Sequence, residues 1–238
     1  MEIADEPLPA ERVGPKIAAG RDSTIYAVGE DRVLRRAPDP SRSFVAEAEV
    51  MEHVGAAGYP VPVVHRVGPG EMVLERVRGR TMANDLEVHP WRLRSHARLL
   101  TDLHHRLHRI PAAEGAPSFP VAGDAMLHLD LHPENVILSP SGPVVIDWTN
   151  AAKGPPGADV ALTWIIVATF EIDSSRLLRI LATLFRGLMV RMFLAAAGKE
   201  EARKHLATVA EYRRNDRNIR PGERRALDRL VEKETGAS

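Results

Sequence analysis

Between residues 128 and 149 the chain reads HLDLHPENVILSPSGPVVIDWT, and three of these side chains are oxygen donors placed to act together: Asp130, Asn135 and Asp147. Two apolar runs, Val136–Leu138 and Val144–Ile146, flank the turn-forming cluster Ser139-Pro140-Ser141-Gly142-Pro143. That pattern predicts two short strands of a hairpin. Asn135 then opens the first strand and Asp147 closes the second, so antiparallel pairing brings them to one end. Carboxylate and amide oxygens suit Mg²⁺, which takes one or two carboxylates and completes its shell with water and phosphate. Asp130, on the loop entering the first strand, is free to accept a hydroxyl proton. A metal-holding pair beside a separate base is the division of labour that phosphoryl transfer requires. Two other readings use the same residues. Asp and Asn also flank hairpins simply as turn formers. His128, Asp130 and His132 spell the His-x-Asp-x-His of some metal-dependent hydrolases, which leaves Asn135 and Asp147 without roles.

The elements that must position these residues follow from periodicity. Residues 16–36 read as three short strands, with turns at Gly20-Arg21-Asp22-Ser23 and Gly29-Glu30-Asp31. Residues 43–54 have near-helical apolar spacing, with Ser43 as a candidate cap. An extended, Pro-limited stretch at 59–67 precedes a strand over 71–77, closed by Arg78-Gly79. Leu93–Ile110 is an amphipathic helix with Leu99, Leu100, Leu103 and Leu107 on one face. Residues 111–123 form a Pro/Gly/Ala loop, and from Asp159 onward the pattern is mostly helical. The character changes near residues 77–80, which predicts a strand-rich lobe over 1–77, a helical lobe over 78–238 and a ligand cleft between them.

Composition narrows the classes. The chain has 238 residues, with Lys plus Arg and Asp plus Glu both at 32, so net charge points to no nucleic-acid partner. Residues 199–238 are mildly basic and read as a solvated helical face. There is no cysteine, which excludes disulfides, thiol nucleophiles and thiolate metal sites and fits a cytoplasmic location. The start, MEIADEPLPAERVG, lacks the basic-then-apolar pattern of a signal peptide. No apolar run reaches the roughly 20 residues needed to cross a bilayer, and Val160–Phe170 reads as a buried helix. His104 and His108 have a zinc-capable spacing without a third ligand, and packing or solvent exposure accounts for them. Oligomeric state is not written in the sequence.

The 128–149 segment resembles the catalytic loop and metal-binding Asp of the aminoglycoside phosphotransferase and choline kinase branch of the protein-kinase-like fold. His128-Leu129-Asp130-Leu131-His132-Pro133-Glu134-Asn135 matches that branch's His-x-Asp-Leu-His-Pro-x-Asn. Ile146-Asp147-Trp148 stands where protein kinases have Asp-Phe-Gly. The resemblance runs from about residue 16 to about residue 165. It implies a two-lobed α+β fold with ATP and Mg²⁺ in the cleft, and transfer of the γ-phosphoryl group to a hydroxyl of a small molecule. On that reading Asp130 is the base, and Asn135 and Asp147 hold the metal. Gly20, Ser23 and Thr24 fall at the phosphate-covering loop. Glu47 is the carboxylate of the first-lobe helix, and the Glu75-Arg76-Val77 backbone meets adenine.

Two departures stand out. The strand Arg32-Val33-Leu34-Arg35-Arg36 lacks the lysine that pairs with phosphates and Glu47, and only five lysines occur in the chain, none of them here. Arg35 takes that place, with Arg36 directed to the opposite face, although Arg and Lys are not interchangeable at such sites. Asp159 matches the family, but the Gly-Asp-Pro that usually precedes it is replaced by Gly154-Pro155-Pro156-Gly157-Ala158. The missing lysine raises a second hypothesis, a nucleotide-binding regulator with little catalytic activity. A protein kinase is a third, disfavoured by the short 148–158 segment. An aminoglycoside acceptor, being polycationic, calls for an acidic pocket, for which Glu171 and Asp173 are the nearest candidates.

Overall fold

A computed structural model describes residues 1–20, 23–170, 176–216 and 219–236, and only the backbone of residues 176–182. In chain order the elements are β1 (Glu2–Ile3), β2 (Lys16–Ala19), β3 (Thr24–Val28), β4 (Arg32–Arg36), α1 (Val45–Ala56), β5 (Val64–Gly68) and β6 (Glu71–Glu75). There follow β7 (Arg80–Thr81), α2 (Met82–Val88), α3 (Leu93–Leu107), β8 (Ala125–Leu127), β9 (Val136–Ser139), β10 (Gly142–Val145) and β11 (Ala152–Gly154). The rest is helical: α4 (Pro156–Thr169), α5 (Arg176–Ala197), α6 (Lys199–Arg214) and α7 (Pro221–Thr235).

The chain divides into two compact units, Met1–Arg80 with Val136–Thr149, and Thr81–Asn135 with Asn150–Ser238. The division differs from a single cut after residue 77 because the β9–β10 hairpin groups with the first unit. The amide of Val145 donates to the carbonyl of Pro60 at 2.8 Å, and Trp148 packs edge-on against Tyr59 at 5.6 Å between ring centroids. These contacts join residues more than 80 positions apart, a separation that local pattern cannot reveal.

The first unit holds a sheet in the order β1-β5-β6-β4-β3-β2, with β1 parallel to β5 and the other pairs antiparallel. Leu34 on β4 and Val73 on β6 are register partners, and with Leu8 they form a buried cluster against Val13, Tyr26 and Val28. Helix α1 buries Ala48, Val50, Met51 and Val54. It begins two residues after Ser43, whose hydroxyl accepts the amide of Val45 at 3.3 Å. At Gly79 a Cβ would lie 2.3 Å from the Leu138 carbonyl oxygen, so the close approach of β9 requires glycine.

In the second unit α3 buries Leu93, His96, Ala97, Leu100, Leu103, His104 and Leu107, the spacing of one helical face, while Leu99 sits half-buried on its flank. Helix α4 is buried nearly all round and packs against α5, α6 and α7, as an apolar run of its kind should. A two-stranded ladder, β8 with β11, brings the two chain segments on either side of the hairpin together. Among the described residues no helix is long and apolar enough to cross a membrane.

One charged knot ties the first sheet. Glu71, 1% exposed, accepts from Arg36 through Nε at 3.1 Å and a terminal nitrogen at 2.8 Å, from Arg66 at 3.0 Å, and from the amide of Leu8. Arg36 therefore leaves the sheet on the face opposite to its neighbour Arg35, as strand alternation demands. A buried carboxylate is stable only while its donors remain matched. Glu71→Gln should cost about 2–4 kcal/mol in urea denaturation, because an amide turns an N–H toward a guanidinium; an unchanged midpoint would contradict the role given to this knot.

Candidate functional site

In the first unit the candidate residues gather around Arg35. Strand β4 turns its side chain inward, to 8% exposure, and α1 carries Glu47 to meet it. The guanidinium donates to Glu47 Oε1 at 2.5 Å, to Ser23 Oγ at 3.0 Å through Nε, to Thr149 Oγ1 at 2.8 Å and to Asp147 Oδ1 at 3.3 Å. Four of its five N–H groups are thus engaged. Burial pushes the Glu47 carboxyl above its ordinary pKa, and the neighbouring Arg35 charge offsets only part of that push. Asp147 follows β10 in a left-handed backbone conformation, φ 64°, which Asp tolerates better than most residues. Its side chain is 45% exposed, and among the described residues its Oδ2 accepts no hydrogen bond.

Thr149 is a member of this group that sequence reasoning missed. Its hydroxyl lies 2.9 Å from Asp147 Oδ1 and 3.3 Å from Glu47 Oε2, and its one hydrogen serves either. Ser23, expected at phosphate, accepts a hydrogen bond from Arg35 Nε. Gly20 and Thr24 bracket the described edges of that loop, whose Arg21 and Asp22 lie outside the described residues, as do Glu171 and Asp173. In the segment expected to meet adenine, the amide of Glu75 donates to Val63 O and that of Arg76 to Asp31 O, both at 2.8 Å, and Val77 is half-buried beside them.

In the second unit the loop after β8 carries Asp130. Asn135 donates through Nδ2 to the carbonyl of Asp130 at 2.9 Å and to its Oδ2 at 3.1 Å. Both amide hydrogens are thereby spent, which leaves the Asn135 Oδ1 as the atom available to a cation. His132 Nε2 lies 3.5 Å from Asp130 Oδ1. Burial raises the Asp130 pKa, but His132, His128 and Arg213 together draw it below the ordinary carboxylate value, so it is ionised at neutral pH. Exposed Asp147 Oδ2 in the first unit and Asn135 Oδ1 in the second are each hard oxygen donors of the kind Mg²⁺ takes alongside water and phosphate, so each fits a ligand of such an ion.

Asp159 fixes this loop from beneath. It is fully buried in the first turn of α4, and its oxygens accept the amides of His128 at 3.2 Å and Leu129 at 2.8 Å, and His108 Nε2 at 2.9 Å. Leu129 has φ 56°, a conformation costly for a residue with a Cβ. Burial opposes its charge, yet His108, His104 and His128 hold the Asp159 carboxyl far below the usual range. His104 is buried against Leu100 O at 2.8 Å and Thr163 Oγ1 at 3.0 Å, and burial pushes its pKa down to about 4. The pair spaced for zinc is therefore committed to packing and to Asp159.

Both shifts make acid destabilising. A histidine depressed from 6.5 to about 4 stabilises the fold fully above 6.5 and loses that contribution as pH falls toward 4. The Asp159 contribution is complete above the ordinary 3.8 and fades only below it. Asp159→Asn should cost about 2–4 kcal/mol at neutral pH, since one amide oxygen cannot serve three donors. In denaturation series the gap between variant and wild type should stay constant down to about pH 4 and narrow below it; a gap that widens in acid would refute the assignment.

Known proteins resemble this chain over most of its length. A family model described as the phosphotransferase enzyme family matches residues 14–125 and 122–205. No curated protein matches. Among solved structures, a thermostable mutant of aminoglycoside phosphotransferase APH(4)-Ia in the apo form is 14% identical with a TM-score of 0.65, covering 94% of this chain and 96% of that one. A further variant of a thermostable APH(4)-Ia mutant, in ternary complex with AMP-PNP and hygromycin B, gives a TM-score of 0.64 at 15% identity, covering 94% of each chain. A choline/ethanolamine kinase family protein from Mesorhizobium loti gives 0.59 at 15% identity, covering 95% and 89%. At these identities the likeness establishes the kinase-like α+β fold, a mixed-sheet lobe and a helical lobe. The family model covers most of the sequence, and the chain belongs to the phosphotransferase enzyme family.

Proposed function

We propose that this chain is a small-molecule kinase that moves the γ-phosphoryl group of ATP, with Mg²⁺, to a hydroxyl acceptor. The observation that carries the reading is Asp130: an ionised carboxylate, fixed by Asn135 and by the strained Leu129 turn, with 23% of its side chain still open to solvent. Such a group accepts a hydroxyl proton or orients the hydroxyl for attack. Asn135 Oδ1 and Asp147 Oδ2 are the donors for the metal. The register Val136↔Val145 supports this, because it leaves the residues just before β9 and just after β10 at the same end of the hairpin. Bound there, Mg²⁺ supplies charge neutralisation to the phosphates.

The chain's own residues do the rest by positioning. Glu47 holds Arg35, which offers its remaining N–H to a phosphate oxygen. Gly20, Ser23 and Thr24 supply the loop over the phosphates. The Glu75 carbonyl and the Val77 backbone are the adenine contacts, since the amides of Glu75 and Arg76 are already engaged. Relatives of this fold support a nucleotide and a hydroxylated acceptor: their complexes hold AMP-PNP with hygromycin B, ADP with hygromycin B, or GDP with kanamycin. The acceptor class here is a hydroxylated metabolite or an aminoglycoside. A second reading, a nucleotide-binding regulator with little turnover, draws on the same Arg35, whose donors are largely spent on protein.

ADP release screened across hydroxylated compounds, aminoglycosides included, separates the two. An enzyme shows acceptor-stimulated release, and Asp130→Asn lowers kcat by at least about 100-fold with little change in KM for ATP. Full activity in Asp130→Asn would overturn the role of Asp130, and nucleotide binding without stimulation by any acceptor would favour the regulator.

A further inference from the structure

Arg35 meets Asp147 directly, and the contact has a consequence for any cation that approaches the same carboxylate. The Oδ1 of Asp147 receives the Arg35 guanidinium at 3.3 Å and lies 2.9 Å from the Thr149 hydroxyl, while Oδ2 accepts nothing among the described residues. One oxygen of the carboxylate is thus held by a resident cation and the other is open.

We propose that Arg35 is the residue that sets the metal affinity of Asp147, acting as an internal cation that a divalent ion must oppose or displace. The inference rests on the reading of Asp147 as a metal ligand. A metal at Oδ2 and a guanidinium at Oδ1 are like charges on one small group, and their repulsion weakens metal binding. The second partner of the same Arg35 nitrogen, Thr149 Oγ1 at 2.8 Å, offers a place for that nitrogen to retreat as the metal arrives. Thr149 is therefore a positioning residue: it divides the arginine between itself and Asp147. A lysine in this place presents one nitrogen with three hydrogens from a single point, and it cannot meet Ser23, Glu47, Thr149 and Asp147 together. The planar fork of arginine does so, and the surplus contact falls on the metal carboxylate. Metal capture and the shift of that arginine nitrogen onto Thr149 become one event.

The test is a titration with Mn²⁺ alone, without nucleotide, following free Mn²⁺ by its paramagnetic resonance signal in the full chain. Arg35→Lys should bind Mn²⁺ roughly three- to tenfold more tightly than wild type, because the Asp147 charge is no longer shared. Thr149→Val should bind it about two- to threefold more weakly, because the Arg35 nitrogen then has Asp147 as its remaining acceptor. A merely structural role for either residue moves both variants in the same direction or not at all, and either outcome would overturn the proposal. Thr149→Val, which removes no charge, keeps the test decisive if Arg35→Lys fails to fold. Asp147→Asn separates the two levels of the argument. Unchanged Mn²⁺ binding there removes Asp147 from the metal site and defeats both readings, whereas weakened binding with no response to Arg35→Lys defeats this one alone.

Discussion

The second unit depends on one buried charge. Asp159 sits where an isolated carboxylate is costly, at the start of a helix that is otherwise apolar. It survives there for three reasons. Two backbone amides and an imidazole N–H point at it. The N-terminal turn of α4 adds the favourable end of the helix dipole. Its side chain is closed off from bulk solvent. In return the two amides, those of His128 and Leu129, are held in a turn that Leu129 would not otherwise adopt. The next residue is Asp130. The carboxylate we propose as the base is thereby aimed by backbone geometry that a core residue enforces, and the helix core and the loop that carries Asp130 share a single anchor.

The first unit solves a similar problem with the opposite arrangement. There the central charge is a cation, Arg35, and the surrounding groups are acceptors: Glu47, Ser23, Thr149 and Asp147. Asp147, like Leu129, has a positive φ, and these are the two non-glycine residues of the described chain that do. Each strained position lies at or beside a carboxylate assigned to chemistry. Left-handed backbone re-aims a side chain sharply within one residue, and it persists only where neighbours over-determine it. Asp159 and Arg35 are those neighbours.

Much of this was legible in the sequence, for physical reasons that differ by element. The hairpin was readable because turn chemistry and two apolar runs are local signals, and β9 and β10 fall where those signals put them. Helix α3 was readable from its apolar face, although Leu99 lies at the margin of that face and His96 and His104 share it as satisfied polar members. Helix α2 escaped notice: Met82–Val88 is seven residues long with a Thr81 cap, too short for periodicity to speak. Its Asp85 binds His89, Arg92 and His96, a cluster spread over eleven positions with no motif to mark it. The His108–Asp159 link joins residues 51 apart, and Thr149 reads as an ordinary loop residue until Arg35 is seen beside it. Local pattern encodes which face is buried. It does not encode which distant polar group meets that face.

The replacement of lysine by arginine shows how such an omission matters. From the sequence, Arg35 is a substitute that keeps the positive charge. In the fold it is a different device, because a fork with five donors recruits partners that a point charge leaves alone. Ser23 and Thr149 gain roles by that change, and both hydroxyls lie on segments that bracket the strand and hairpin rather than on the strand itself. Once four donors are committed within 8% exposure, a phosphate cannot draw the guanidinium away without breaking a matched set. Arginine keeps the sign of a lysine's charge at this position but not its availability, and availability is what distinguishes a phosphate clamp from a structural hub. The availability of the arginine therefore turns on how firmly Glu47 and Thr149 retain it, which is a property of packing rather than of the sequence motif.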